Sequence, residues 1–320
     1  MERSELAVFG AEEVRKLLDY PSCIAVVREA MQALSRGETR QLLRTMIHMG
    51  EGRTFAQMPG ALSDQGMFGA KMISVFAQPD NPGVRRHRGL VMMFEPEQGR
   101  PVCVADAEEI THIRTAAATA VATDALARKD AKVLLLMGTG GQVHSHLHAL
   151  PLVRDFDRIL IWGRTPANVS AVVDEWRDRL PVEAASDVRT AAEGADVICT
   201  LTGSREPILL RDWVQPGTHV NVVGSSGPGP VEIDNALVAD SRFIADSRAS
   251  ALDAAAEFLV AKAAGLVSDD HIVAEIGEVL LGYKPGRQNA EEITLYKSLG
   301  HAVQDLAAAA YIYEKSQDWI

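Results

Sequence analysis

Lys71 lies in the middle of an apolar, strand-like run, Phe68-Gly69-Ala70-Lys71-Met72-Ile73-Ser74-Val75. An ammonium placed there either snorkels out of the sheet along its stem or is held inside as a working group. Arg114 stands in Glu109-Ile110-Thr111-His112-Ile113-Arg114-Thr115-Ala116-Ala117-Ala118, beside small residues that let a ligand approach. Its guanidinium offers a two-pronged fork that matches a carboxylate. Arg44 lies just ahead of another strand-like run, Thr45–Met49. Taken singly, each also reads as a solvated or structural cation, and spacing alone does not bring them together.

A second group of residues points to phosphate. Val133-Leu134-Leu135-Leu136-Met137 is a short apolar run that ends in Gly138-Thr139-Gly140-Gly141-Gln142. That order predicts a buried parallel strand, a tight turn, and a helix whose N-terminus receives a pyrophosphate. The fingerprint is incomplete, because Val143 holds its third glycine position. About twenty residues further on, a second strand is expected to end at the adenosine ribose, usually on an acid. Here Arg158–Trp162 runs into Gly163-Arg164-Thr165, with no acid. A guanidinium and a hydroxyl at that point suit a 2′-phosphate and lean toward NADP, while stacking of Arg164 on adenine leaves NAD equally open. His144, His146 and His148 do not read as a metal site. On a helix His144 and His148 share a face that His146 leaves, and no acid or cysteine completes the set.

The elements that must position these residues fall into zones. Two helices are expected between Ala11 and Arg36, followed by strands at Thr45–Met49, Thr54–Met58, Gly69–Phe76, Leu90–Phe94 and Pro101–Ala105, with Gly, Pro and Asn between them. These make a mostly antiparallel sheet. An alanine-rich helix, Ala107 to Arg128, leads into alternating strands and helices from Lys132 to Ala245, the pattern of a doubly wound parallel sheet. From Ala249 onward the text is helical except at Glu292–Tyr296. The last helix, about Gly300 to Lys315, is too apolar to stand alone and is expected to pack back on the first domain.

The fold class is therefore α/β: a Rossmann-type doubly wound parallel sheet inserted in a discontinuous α+β domain. The expected boundaries are 1–118 with 293–320 for the substrate and dimerisation domain, and 119–292 for the dinucleotide domain.

Composition bounds the partners. The chain has 320 residues, of which 47% are hydrophobic and 23% charged, values typical of a globular protein. Its 32 basic and 43 acidic residues leave a formal charge of −11, which argues against nucleic acid or an anionic membrane as partner. Cys23, Cys103 and Cys199 lack metal or redox spacing. The absence of a secretory segment or a bilayer-length apolar run makes a cytoplasmic location the expectation.

From Arg44 to Tyr313 the chain resembles the ornithine cyclodeaminase/mu-crystallin family. The Lys71 strand, Gly89-Leu90-Val91, Ile113-Arg114-Thr115-Ala116-Ala117, Gly138–Gln142, Trp162-Gly163-Arg164-Thr165 and Leu295-Tyr296-Lys297-Ser298-Leu299-Gly300…Asp305-Leu306-Ala307 carry the likeness. The resemblance implies a homodimer, NAD or NADP as hydride donor, and a small α-imino or α-amino acid as substrate. It implies that Arg44, Lys71 and Arg114 hold the substrate's carboxylate, with Lys71 as the acid beside the imine nitrogen. Cofactor contacts are expected at Thr111, Gly138, Thr139, Gly140, Gly141, Gln142, Gly163, Arg164, Thr165, Thr200, Gly224 and Ser226.

One departure separates activities within the family. The stretch Asn221 to Asp234 matches the loop that carries the cyclodeaminases' catalytic aspartate, and Ser226 holds that position. A serine hydroxyl is too weakly basic to drive ring closure and ammonia loss, but it can donate a hydrogen bond. Reduction of a C=N bond is favoured over cyclodeamination, with Lys71, Arg114 and Ser226 as catalytic residues. A non-catalytic ligand-binding protein is the remaining alternative. Arg85-Arg86-His87-Arg88 precedes Gly89, where the resemblance places the substrate pocket. If His87 and Arg88 hold a second carboxylate, the substrate is a dicarboxylate such as iminosuccinate; otherwise the run is a solvated loop.

Overall fold

The computed structural model describes residues 6–78, 81–227 and 229–317, with the backbone alone described for 77–78 and 81–87. The chain divides into two compact units. One runs to Arg114 and resumes at His301; the other is Thr115–Gly300.

The first unit opens with β1 (Ala7–Phe9), α1 (Ala11–Leu17) and α2 (Tyr20–Ser35). Asp19 caps α2 by accepting from the Ser22 amide at 2.8 Å, Pro21 occupies its first turn, and Cys23, Val27, Ala30 and Met31 form its buried stripe. The strands follow: β2 (Arg40–Gln41), β3 (Thr45–His48), β4 (Thr54–Ala61), β5 (Phe68–Gln78), β6 (Asn81–Phe94) and β7 (Pro101–Asp106). They form one sheet in the order β1-β7-β6-β5-β4-β2, with β3 on β4. All pairs are antiparallel except β1 with β7. Sequence pattern did not predict β1 and β2, which are too short to show alternation. Helix α3 (Ala107–Leu126) then begins, and the division between the units falls inside it.

The second unit alternates as expected: β8 (Val133–Met137), α4 (Gly141–Ala149), β9 (Arg158–Trp162), α5 (Pro166–Trp176), β10 (Val182–Ala184), α6 (Val188–Glu193), β11 (Val197–Thr200), β12 (His219–Val222), α7 (Asn235–Ala239) and β13 (Arg242–Ala245). It continues through α8 (Arg248–Ala254), α9 (Ala256–Ala263), β14 (Ile272–Glu275), α10 (Ile276–Leu280) and β15 (Thr294–Lys297). The order is β10-β9-β8-β11-β12-β15-β13-β14, and every pair is parallel. Every residue of β11, β12 and β15 is buried, as a sheet covered on both faces requires.

The domain boundaries move relative to expectation. Segment 293–300 was assigned to the substrate domain, but β15 lies between β12 and β13 in the parallel sheet, so the second unit extends to Gly300. At the other junction 115–118 also belong to the second unit. Strand β14 was read as helix, because its apolar run continues into α10 without a break in pattern.

The last element, α11 (Ala302–Gln317), returns to the first unit and packs on α2 and on strands β4 to β7. Its buried face includes Ala302, Leu306 and Ala309, and also Gln304 and Asp305.

Candidate active site

Lys71 lies opposite Met58 of β4 and Val91 of β6, and the residue is 3% exposed. Its Nζ donates to Thr111 Oγ1 at 2.6 Å and to Asp305 Oδ1 at 2.8 Å. Arg114 Nε donates to that same Asp305 oxygen at 3.1 Å, and Nη1 donates to Gln304 Oε1 at 3.0 Å. Strand β5, the first turns of α3 and the first turn of α11 thus meet on one carboxylate. Arg44, half-buried just before β3, adds its positive charge to the surroundings of Lys71.

Burial pushes the Lys71 ammonium down to about 8; Asp305 opposes this, while Arg114 and Arg44 add to it as like charges. Burial acts to raise the Asp305 carboxyl, but Arg114 and Lys71 outweigh it and hold the group below the usual carboxylate value. His301, beside Asp305 and Arg114, is pushed by burial to about 4 and is neutral at pH 7. Among the described residues, Lys71 and Arg114 share one carboxylate oxygen of Asp305, which leaves a local excess of positive charge in an acidic chain, an arrangement suited to an incoming carboxylate.

Asp305 is the residue that sequence reasoning missed. It stood in the matched C-terminal run without a role. The signal was its position: one acid on the apolar stripe of Ala302, Leu306 and Ala309 requires a buried cation.

Thr111 was expected to contact cofactor, yet its hydroxyl accepts from Lys71 and donates to the Ala107 carbonyl at 2.5 Å. It belongs to the Lys71 cluster. Arg88 is exposed and pairs with Ser74, one register step out of phase with the Lys71–Val91 pair. The two side chains therefore leave opposite faces of the sheet. Arg88 lies along an open groove with Met72, Ser74, Leu90 and Asp106, and not beside Lys71. His87 pairs with Val75 through its backbone, and its side chain lies outside the described residues.

In the second unit, β8 ends at Gly138, whose φ of 141° few other residues adopt and whose missing Cβ would stand 2.8 Å from the Leu201 carbonyl oxygen. Gly140 is the N-cap of α4, so the helix begins at Gly141, with Gln142 in its first turn. The positive end of a helix and the lack of side chains on Gly138, Gly140 and Gly141 fit a dinucleotide pyrophosphate. Thr139 packs against Gly163 after β9, and Arg164 and Thr165 are exposed beyond it. The α4 histidines engage protein groups. His146 bonds Gln142 and Thr119, His144 accepts from Trp176, and the His148 ring meets Trp176 edge-on.

Thr200 was placed among the cofactor contacts, but it is fully buried and its hydroxyl donates to Glu232 Oε2 at 2.9 Å. Gly224 amide donates to that oxygen at 2.8 Å. Ser226 is exposed in the turn that follows, whereas its neighbour Ser225 is buried against Glu257 and Lys297.

Comparison with known proteins follows the same lines. The family model described as "Ornithine cyclodeaminase/mu-crystallin family" matches residues 5–319. Ketimine reductase mu-crystallin of Mus musculus is 34% identical over 313 residues, 96% of each chain. The Δ1-pyrroline-2-carboxylate reductase of Thermococcus litoralis, solved in complex with NADH and L-proline, superposes with a TM-score of 0.93 at 30% identity and 98% coverage of both chains. The iminosuccinate reductase of Paracoccus denitrificans, solved with NAD+, gives a TM-score of 0.91 at 28% identity, covering 98% of this chain and 97% of that one.

Proposed function

The chain belongs to the ornithine cyclodeaminase/mu-crystallin family, and from that membership we propose that it is an NAD(P)H-dependent reductase of small α-imino acids. The observation that carries this reading is the excess of positive charge around Asp305. Lys71 and Arg114 carry two positive charges against the single negative charge of Asp305, and an α-carboxylate balances the difference. Lys71 directs N–H bonds to Thr111 and Asp305, and the remaining one of its three is available to an imine nitrogen. A pKa of about 8 lets that ammonium be charged at neutral pH and still release a proton readily. NAD(P)H, when bound at Gly138–Gln142, supplies the hydride for the imine carbon. Carbon gains the hydride, nitrogen gains the proton, and C=N becomes CH–NH.

We assign a substrate with a single carboxylate. Iminosuccinate needs a second anion site; of His87 and Arg88, the pair that suggested one, Arg88 leaves the sheet on the face away from Lys71, and the His87 side chain lies outside the described residues. Cyclodeamination lacks support because Ser226 stands where a carboxylate is needed. Exposed Met46, Ile47, Phe68, Phe76 and Leu90 on β3, β5 and β6 support a homodimer in which a second copy covers apolar surface. None of the described helices is long and apolar enough to cross a membrane.

The test is a panel of cyclic imino acids and of 2-oxo acids with ammonia or methylamine, each with NADH and NADPH. Net oxidation of the cofactor by monocarboxylates is the expected result. Turnover of ornithine without net change in cofactor would overturn the assignment in favour of a lyase, and turnover confined to oxaloacetate with ammonia would restore the dicarboxylate.

A further inference from the structure

We propose that Glu232 is a positioning residue for the nicotinamide half of the cofactor, clamping the segments after β11 and β12 into one rigid floor. The proposal rests on the dinucleotide reading of the second unit and extends it to residues that carry no part of the binding fingerprint.

Glu232 is fully buried, and its carboxylate receives five hydrogen bonds. Oε2 accepts from Thr200 Oγ1 at 2.9 Å, the Gly224 amide at 2.8 Å and the Ser225 amide at 3.2 Å. Oε1 accepts from the Thr202 amide at 2.7 Å and the Thr202 hydroxyl at 2.8 Å. One oxygen therefore holds the turn after β12, and the other holds the turn after β11.

Those turns have a defined place in a doubly wound sheet. The strand order reverses at β8, with β9 and β10 on one side and β11 and β12 on the other. A dinucleotide lies across the carboxyl ends of the strands at that reversal, with adenosine over the β9 side and the other nucleotide half over the β11–β12 side. The Glu232 clamp sits under the second half. At Gly224 the packing is so close that a Cβ would stand 2.1 Å from the Thr202 carbonyl oxygen.

A second layer fixes the clamp. Glu257 accepts the Glu232 amide at 3.2 Å and pairs with Lys297 Nζ at 2.8 Å. Lys297, at the end of β15, also donates to the Ser225 carbonyl at 2.7 Å. The shape of a glutamine would fit in place of Glu232, but its chemistry would not. In either orientation its NH2 faces a backbone N–H, of Thr202 on one side or of Gly224 and Ser225 on the other. One of the two turns must then shift.

The experiment compares NADH with ADP-ribose, which lacks nicotinamide, by calorimetric titration of the full chain and of Glu232→Gln. The expected result is a loss of about tenfold in NADH affinity with ADP-ribose held within about twofold. Thr202→Val removes one hydroxyl donor and leaves the carboxylate, and it should show the same selectivity at smaller size. That variant carries the test if Glu232→Gln does not fold. Equal losses for both ligands would mean general damage to the unit and would overturn the proposal, as would no loss for either. Failure of the unaltered chain to bind either ADP-ribose or its 2′-phosphate would overturn the dinucleotide reading and this proposal with it. The absence of imine turnover would leave these titrations as they stand.

Discussion

Two buried ionic clusters in this chain have opposite balances. Around Asp305 in the first unit, Lys71 and Arg114 crowd onto one carboxylate oxygen, and Arg44 adds a third positive charge. Around Glu232 in the second unit, carboxylates are in excess, and backbone amides and hydroxyls of neighbouring turns supply their donors. Burying charge is costly unless the charge is paired and hydrogen-bonded. The second cluster meets that condition from within, so it serves as scaffold. The first does not, and on the proposed function an anionic ligand completes it.

The contrast can be broken first at Lys71. Lys71→Ala removes the proposed acid and a carboxylate anchor together, so kcat/KM for imine reduction should fall about a thousandfold. NADH affinity measured by titration should stay within about twofold, because the fingerprint turn and its clamp belong to the other unit. A parallel loss of NADH binding would show that the clusters do not divide the work in this way.

Asp305→Asn sharpens the contrast through pH. Reduction needs Lys71 protonated, so in the unaltered enzyme kcat/KM should fall as pH rises above about 8. The groups facing this ammonium are Asp305 from α11, Arg114 and Thr111 from α3, and Arg44. His301 and Cys23 stand by the same cluster; His301 is already neutral, and burial pushes the Cys23 thiol up, so neither titrates near 8. Asp305 alone among them raises the Lys71 pKa. Without its charge, burial and the two arginines act unopposed, and the alkaline limb should move to lower pH by about one unit or more. Activity lost at pH 7.5 should partly return at pH 6. A rate lowered equally at every pH would mean that Asp305 only holds shape.

Arg164→Ala is expected to act on one cofactor. If the guanidinium meets a 2′-phosphate, NADPH affinity falls about tenfold and NADH affinity stays within about twofold. Equal loss for both would mean that the side chain stacks on adenine instead.

The two clusters also differ in how far the sequence disclosed them. The phosphate turn is local: strand, glycines and helix follow within ten residues, and hydrophobic period and turn chemistry suffice to read it. The alternation from β8 to β13 was legible for the same reason, apart from β10, whose three residues are too few to show a pattern. Lys71 and Asp305 lie 234 positions apart, and no spacing rule joins them. Resemblance named Arg44, Lys71 and Arg114, but the carboxylate that joins the last two came only from the packing of α11. Glu232 was invisible for another reason. It sits in a turn rich in Gly, Ser and Pro, where an acid reads as solvated, and only the register of β11 beside β12 brings its donors within reach. Strand β15 was recognised as a strand but assigned to the wrong domain, because a short apolar run does not say which sheet will take it.

Arg88 provides the smallest expected effect, and it tests the geometry of the first unit. Along β5 and β6, Lys71 with Val91 and Ser74 with Arg88 fall on alternate steps of the register, with no bulge between them. Period two in a strand sends the two side chains to opposite faces. A substrate carboxylate seated by Lys71 is therefore out of reach of Arg88 in the same chain. Arg88→Ala should change kcat/KM for a monocarboxylate imine by less than about twofold, as is usual for exposed residues remote from a site. A large loss would have one structural meaning, since the sheet cannot turn the side chain through itself. Arg88 would have to reach the site of a second copy, and mixing Arg88→Ala with Lys71→Ala protein would then restore activity in the hybrid.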